Sequence, residues 1–239
     1  MAPTLRLQNA LKQQQPVFAT FMALKGMRTA QVVAHTGLDV RNIDDSDMHD
    51  MVSSVANSGV SPIVRIRGTS GPLIKRALDT GAHPISQSGI LVPMVNTAAD
   101  ARSIVSFAKF PQVGVRGQGS SFACFELGLA TPSEYVAKAN ESLLTMIQIE
   151  SVEALENIDE ICQVEGIGYT PANWSEPLFS EAIEKIVTTA RKYGKKTGIL
   201  ATDGEHAKRL KKQFDLVAIS TDVRALQAWY GKQIELANM

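Results

Sequence analysis

Cysteine and histidine are scarce in this chain, net charge is absent, and no apolar run is long enough to cross a bilayer. Two cysteines, Cys124 and Cys162, cannot build a disulfide framework or, by themselves, a zinc cluster, so a reducing, cytoplasmic setting is the expectation. Residues 1–16 have mixed polarity and lack the apolar centre of a signal peptide, which points the same way. The 24 basic and 24 acidic side chains cancel, leaving no excess charge to draw nucleic acid or an anionic membrane; a small-molecule ligand is favoured. The glycine-rich run Gly114-Val115-Arg116-Gly117-Gln118-Gly119 is not G-x-G-x-x-G and opens no helix, which excludes a dinucleotide fingerprint. Lys75, Lys109 and Lys195 fall on helices or turns, where a Schiff-base lysine at a strand end is not expected. With no linker, repeat or low-complexity tract, residues 1–239 read as one domain.

What the chain does contain is an alternation of short β-rich runs and amphipathic helical stretches, the pattern of parallel βα units. Its 239 residues match the usual size of a (β/α)8 TIM barrel. Strands are predicted over 17–24, 62–66, 90–95, 143–149, 197–201 and 216–220. Met48, Met51, Val52 and Val55 mark one helix, and Leu73, Ile74, Ala77 and Leu78 a second that ends at Gly81. Thr97 and Asp100 resemble a capping box, Ser151 caps a helix to Val164, Gly194 closes a helix with a basic last turn, and Asp222 opens a terminal helix. Two places break the rhythm. Leu38–Ile43 carries Asp39, Arg41 and Asn42, too polar for a central parallel strand, and no apolar run separates Val164 from Pro177. An eight-stranded barrel is therefore expected to be incomplete or distorted at strands 2 and 6.

The runs IKRALDTGAH and ILVPMVNTAADA within residues 71–101 are similar to the HpcH/HpaI aldolase family. So are GVRGQG at 114–119, MIQIES at 146–151, ENIDEICQVEGI at 156–167, GILATDGEHAKR and FDLVAIST. Their order and spacing, rather than any single motif, carry the resemblance. It implies a pyruvate/phosphoenolpyruvate-type TIM barrel and a metal-dependent class II aldolase that uses a divalent ion (Mg2+, Mn2+ or Co2+). The implied reaction cleaves a 4-hydroxy-2-oxo acid to pyruvate, or a related 2-oxo acid, and an aldehyde. A homo-oligomer, hexameric in the family, is implied as well.

Position by position, the resemblance implies that Glu150 is a metal-binding carboxylate and that Gln148, two residues earlier on the same strand face, is a substrate-side polar group. Arg65 matches an arginine that contacts the 2-oxo group, and Asp79 a carboxylate that pairs with a catalytic histidine across a subunit boundary. The bland alternatives are a helix-start carboxylate for Glu150, a solvated ion pair for Arg65 or its twin Arg67, and a surface salt bridge for Asp79. Arg116 is read as part of a flexible loop beside the site. The histidine belongs to a D-x-E-H-G-type segment, yet Val40 here runs through Arg41 into Asn42. The second metal carboxylate belongs to a G-P-x-D-L-type loop, yet Gly166-Ile167 runs directly into Gly168-Tyr169. Pro84–Ser88 looks inserted. Clean losses with a short insertion suggest a mis-spliced transcript, and hence a catalytically impaired chain. Of the four histidines, His35, His49, His83 and His206, only His49 lies near an acidic cluster (Asp44, Asp45, Asp47), where a solvated helix start is the simpler reading.

Overall fold

Each strand is followed by a helix, or a pair of helices, that returns the chain to the starting edge, as parallel pairing requires. The computed structural model describes residues 7, 10, 13–44, 48–81, 89–120, 123, 131–172 and 180–239. In chain order the elements are β1 (Val17–Met22), α1 (Met27–Ala34), β2 (Val40–Asp44), α2 (Met48–Asn57), β3 (Ser61–Arg65) and α3 (Gly71–Asp79). Then come β4 (Gly89–Val92), α4 (Ala98–Ala108), α5 (Pro132–Ser142), β5 (Leu144–Ile147), α6 (Val152–Glu156) and α7 (Ile158–Gln163). The chain ends with β6 (Tyr169–Ala172), α8 (Ser180–Lys192), β7 (Lys196–Ala201), α9 (Gly204–Leu210), β8 (Leu216–Thr221) and α10 (Asp222–Ala237). Asp45, Asp47, His83, Pro84–Ser88 and Cys124 lie outside the described residues.

The strands join in sequence order and β8 closes on β1, giving an eight-stranded parallel barrel. This corrects the expectation of missing strands. β2 is the polar segment itself, paired at four positions with β1 and five with β3. A ladder is made by backbone groups, so two well-placed apolar residues suffice to seat it. Val40, fully buried, joins the cluster inside the barrel with Val17, Ala19, Ile63, Leu91 and Met146, while Ile43, also fully buried, faces the helices. β6 is present too, but thin: it pairs with β7 at four positions and with β5 only at Met146 and Tyr169. Of the two predicted distortions, the one at strand 6 is seen.

The larger apolar cluster fills the space between strands and helices, uniting Ile74, Ala77 and Leu78 of α3 with Ile104 of α4 and Ile161 of α7. Helix boundaries follow their caps. Thr97 and Asp100 form a reciprocal capping box, and Ser151 Oγ accepts the Ala154 N–H at 3.0 Å. The helix predicted from Ser151 to Val164 is interrupted at Asn157 and becomes α6 and α7. Gly81 (φ 88°) and Gly194 (φ 66°) take the left-handed backbone that ends a helix. Asp222 locks the ring shut: its carboxylate oxygens accept the N–H groups of Ala23 and Leu24, just beyond β1, at 2.9 and 3.0 Å. Among the described residues no helix is long and apolar enough to cross a membrane.

Candidate active site

The polar end of the barrel is built at the C-terminal ends of β3, β4 and β5, the face that carries chemistry in this architecture. Arg65 is the last residue of β3, and its Nε donates to Gln148 Oε1 at 3.0 Å. Gln148 follows β5, is buried, and its Nε2 donates to Glu150 Oε1 at 2.9 Å. The other carboxylate oxygen, Glu150 Oε2, accepts the backbone N–H of Met94 at 3.1 Å. The result is a relay, Arg65 to Gln148 to Glu150 to Met94, in which one neutral amide stands between a guanidinium and a carboxylate. The period-two spacing of Gln148 and Glu150 puts both on the same side, as their positions in the sequence suggested. Arg67, two residues beyond Arg65, is exposed.

Gln148 is fixed through its backbone as well as its side chain. Its N–H donates to Val92 O at 2.8 Å, and its carbonyl accepts the Val95 N–H at 3.3 Å. Asn96 completes the frame: its Oδ1 accepts from Ser151 Oγ at 2.7 Å and its carbonyl from Asn157 Nδ2 at 3.0 Å. Sequence reasoning missed Met94 and Asn96. Their signal is only their place in the Pro93–Asn96 connection between a strand end and the Thr97 cap.

Asp79 is not brought to this group within one chain. It ends α3, which runs back antiparallel to the strands, and nine residues at about 1.5 Å each carry it roughly 13 Å toward the opposite end of the barrel. There Asp79 Oδ1 accepts from Arg116 Nη2 at 3.0 Å, Oδ2 pairs with Lys75, and its carbonyl accepts from Ser120 Oγ at 2.8 Å. Arg116 lies on an irregular segment as expected, but its side chain is buried against Asp79 and not beside the rim. Its side chain is 1% exposed, its guanidinium lies 4.6 Å from the Phe110 ring centroid, and Nη2 also donates to Tyr135 Oη at 2.9 Å. Nearby, Lys109 donates to Asn140 O, and burial pushes its ammonium below the ordinary lysine range. His49 lies elsewhere again, lining a groove of about 930 Å³ on the outer surface with Arg28, His35 and Asp50.

Among the described residues no group of three or more His, Cys, Asp or Glu could hold a metal ion. The donor set at the rim suits a hard cation held at one point. A carboxylate is the hard oxygen donor that such an ion takes, with water and ligand oxygen completing the shell, and Gln148 and Met94 each donate to one oxygen of Glu150.

The family model of the HpcH/HpaI aldolase/citrate lyases matches residues 43–171, a span that includes Arg65, Asp79, Met94, Gln148 and Glu150. The 2-keto-3-deoxy-L-rhamnonate aldolase of Salmonella gallinarum is 34% identical over 215 residues, covering 81% of this chain and 78% of the relative. The crystal structure of an HpcH/HpaI aldolase from Desulfitobacterium hafniense has a TM-score of 0.86 at 25% identity, covering 98% of this chain and 97% of that one. An HpcH/HpaI aldolase/citrate lyase family protein from Burkholderia cenocepacia reaches 0.87 at 22% identity, covering 99% and 100%, and speaks for the fold alone.

Proposed function

The chain belongs to the HpcH/HpaI aldolase/citrate lyase family, and from that premise we propose that it is a cytoplasmic, metal-dependent carbon–carbon lyase. Its reaction is the reversible cleavage of a 4-hydroxy-2-oxo acid to pyruvate, or a related 2-oxo acid, and an aldehyde. The observation that carries this reading is the Arg65–Gln148–Glu150 relay at the strand ends. Glu150 would hold Mg2+, Mn2+ or Co2+, which when bound supplies Lewis acidity toward the carboxylate and keto oxygens of the substrate. Arg65 places fixed positive charge where negative charge develops as the carbon–carbon bond breaks. Gln148 holds Arg65 and Glu150 in register and presents an amide to the substrate. The free, buried thiol of Cys162 suits a reducing compartment.

A homo-oligomer is part of this reading, and one feature supports it. On α10, Leu226, Trp229, Tyr230 and Ile234 form a stripe at helical spacing, each 49% to 60% exposed.

One observation favours a second reading, a catalytically impaired member from an altered transcript: the E-H-G and G-P-x-D segments are absent from the sequence. Loss of a general base alone removes about a hundredfold to ten-thousandfold in rate. Pyruvate release from 2-keto-3-deoxy-L-rhamnonate, followed with each ion in turn, separates the two. Ion-dependent release that Glu150→Gln abolishes supports the lyase. Binding of Mn2+ and pyruvate without turnover supports the impaired member, and release indifferent to both the ion and Glu150 sinks the reading of the rim.

A further inference from the structure

The connection from β4 to α4 acts as a bracket around the end of β5. Val92 and Val95 grip the Gln148 backbone, Asn96 ties in Ser151 and Asn157, and between them the Met94 N–H meets Glu150 Oε2. This last contact depends on an unusual backbone. Met94 has φ 54°, and only Gln14 and Ser220 share that region among the described non-glycine residues. A side chain with a Cβ resists this conformation, so the surrounding structure must impose it. Packing of the thioether does not impose it, because the Met94 side chain is 54% exposed.

We infer that Met94 is a positioning residue, whose left-handed backbone aims a neutral N–H at Glu150 and sets the angle at which that carboxylate meets a divalent cation. The inference rests on the reading of Glu150 as the cation ligand. Gln148 Nε2 and Met94 N each hold one oxygen, and as both donors are neutral they orient the carboxylate without cancelling its charge. Asparagine or glycine at position 94 keeps the backbone, whereas a β-branched residue works against it.

The test is Mn2+ binding to the full chain, read from the electron paramagnetic resonance signal of free Mn2+, with no turnover needed. Met94→Gly and Met94→Asn should bind within about threefold of the parent, and Met94→Ile and Met94→Val at least about tenfold more weakly, the range for losing an outer partner of a metal ligand. Each class has two members, so a variant that fails to fold leaves its counterpart to decide. Equal affinity across all four overturns the inference, as does a loss in the glycine and asparagine variants matching that of the β-branched pair. Glu150→Gln separates the two levels. If it leaves Mn2+ affinity unchanged, the cation reading falls and the inference with it; if it abolishes binding while Met94→Ile does not weaken it, the inference alone falls.

Discussion

The two ends of the barrel each bring an arginine near a carboxylate, and treat the pair in opposite ways. At the far end Arg116 meets Asp79 directly at 3.0 Å, with the guanidinium enclosed by Phe110 and Tyr135. At the rim Arg65 and Glu150 are held apart by Gln148, which bonds to both. Direct contact neutralises; an interposed amide keeps this guanidinium and this carboxylate side by side without direct contact. Burial of Arg116, with a side chain 1% exposed, makes the far pair part of the fold, whereas Arg65 and Glu150 at the rim are both half-buried.

Three measurements press on that contrast. The largest effect should come from Asp79→Ala, which removes the carboxylate facing an enclosed guanidinium. Breaking such a pair costs about 2–4 kcal/mol, so the melting temperature should fall by about 5–10 °C while Mn2+ binding at the rim stays unchanged. A drop under about 2 °C would mean that Arg116 is satisfied without Asp79, and the pair would lose its claim to be structural.

Gln148→Leu should do the reverse. With the amide gone, Arg65 and Glu150 lose their spacer and can close on each other. Mn2+ affinity should fall about tenfold, equivalent to about 1.4 kcal/mol, and the melting temperature should move less than in Asp79→Ala. Unchanged Mn2+ affinity would show that Gln148 is not a spacer.

The smallest effect is a pH dependence confined to the far side of the barrel. Burial pushes the Cys162 thiol up to about 11, and pushes the ammonium groups of Lys109 and Lys195 down. The signs oppose. A thiol whose folded value is raised supports the fold below 9.0, its unfolded value, and that support fades as the pH climbs toward 11. The lysines, lowered in the fold, gain relative stability as the pH rises toward 10.5. Cys162→Ala should therefore flatten the alkaline loss between pH 8 and 10.5 in melts compared with the parent. An identical slope in both chains would place the thiol outside the titrating set.

The rim residues Arg65, Gln148 and Glu150 were named by the family resemblance, and strand ends and period two explain why they share one rim: Arg65 ends β3, and Gln148 and Glu150 share a parity. The βα alternation, the Thr97 capping box and the glycines at 81 and 194 were legible because each depends on local sequence. β2 and β6 were not. The rule that central parallel strands are apolar throughout describes side-chain burial, while Val40-Arg41-Asn42-Ile43-Asp44 is held by backbone pairing on both edges and by two apolar anchors. Tyr169-Thr170-Pro171-Ala172 is seated mainly by β7, a long-range fact with no local trace. Met94 escaped notice because nothing in a methionine announces a positive φ. Arg116 does lie on an irregular segment, but its side chain was misplaced, because nothing local shows that Phe110 and Tyr135 enclose it.

The lone registered pair between β5 and β6 leaves the barrel with one loose stave. In a closed ring, neighbours that stay zipped keep such a seam shut, so it breathes without the whole coming apart. Amide protons at 146–147 and 169–170 should be the first barrel amides to trade with solvent. The backbone bonds of Gly168, which donates to Thr145 O at 2.9 Å and accepts from Lys196 N at 3.0 Å, are the stitches that keep this stave in the ring.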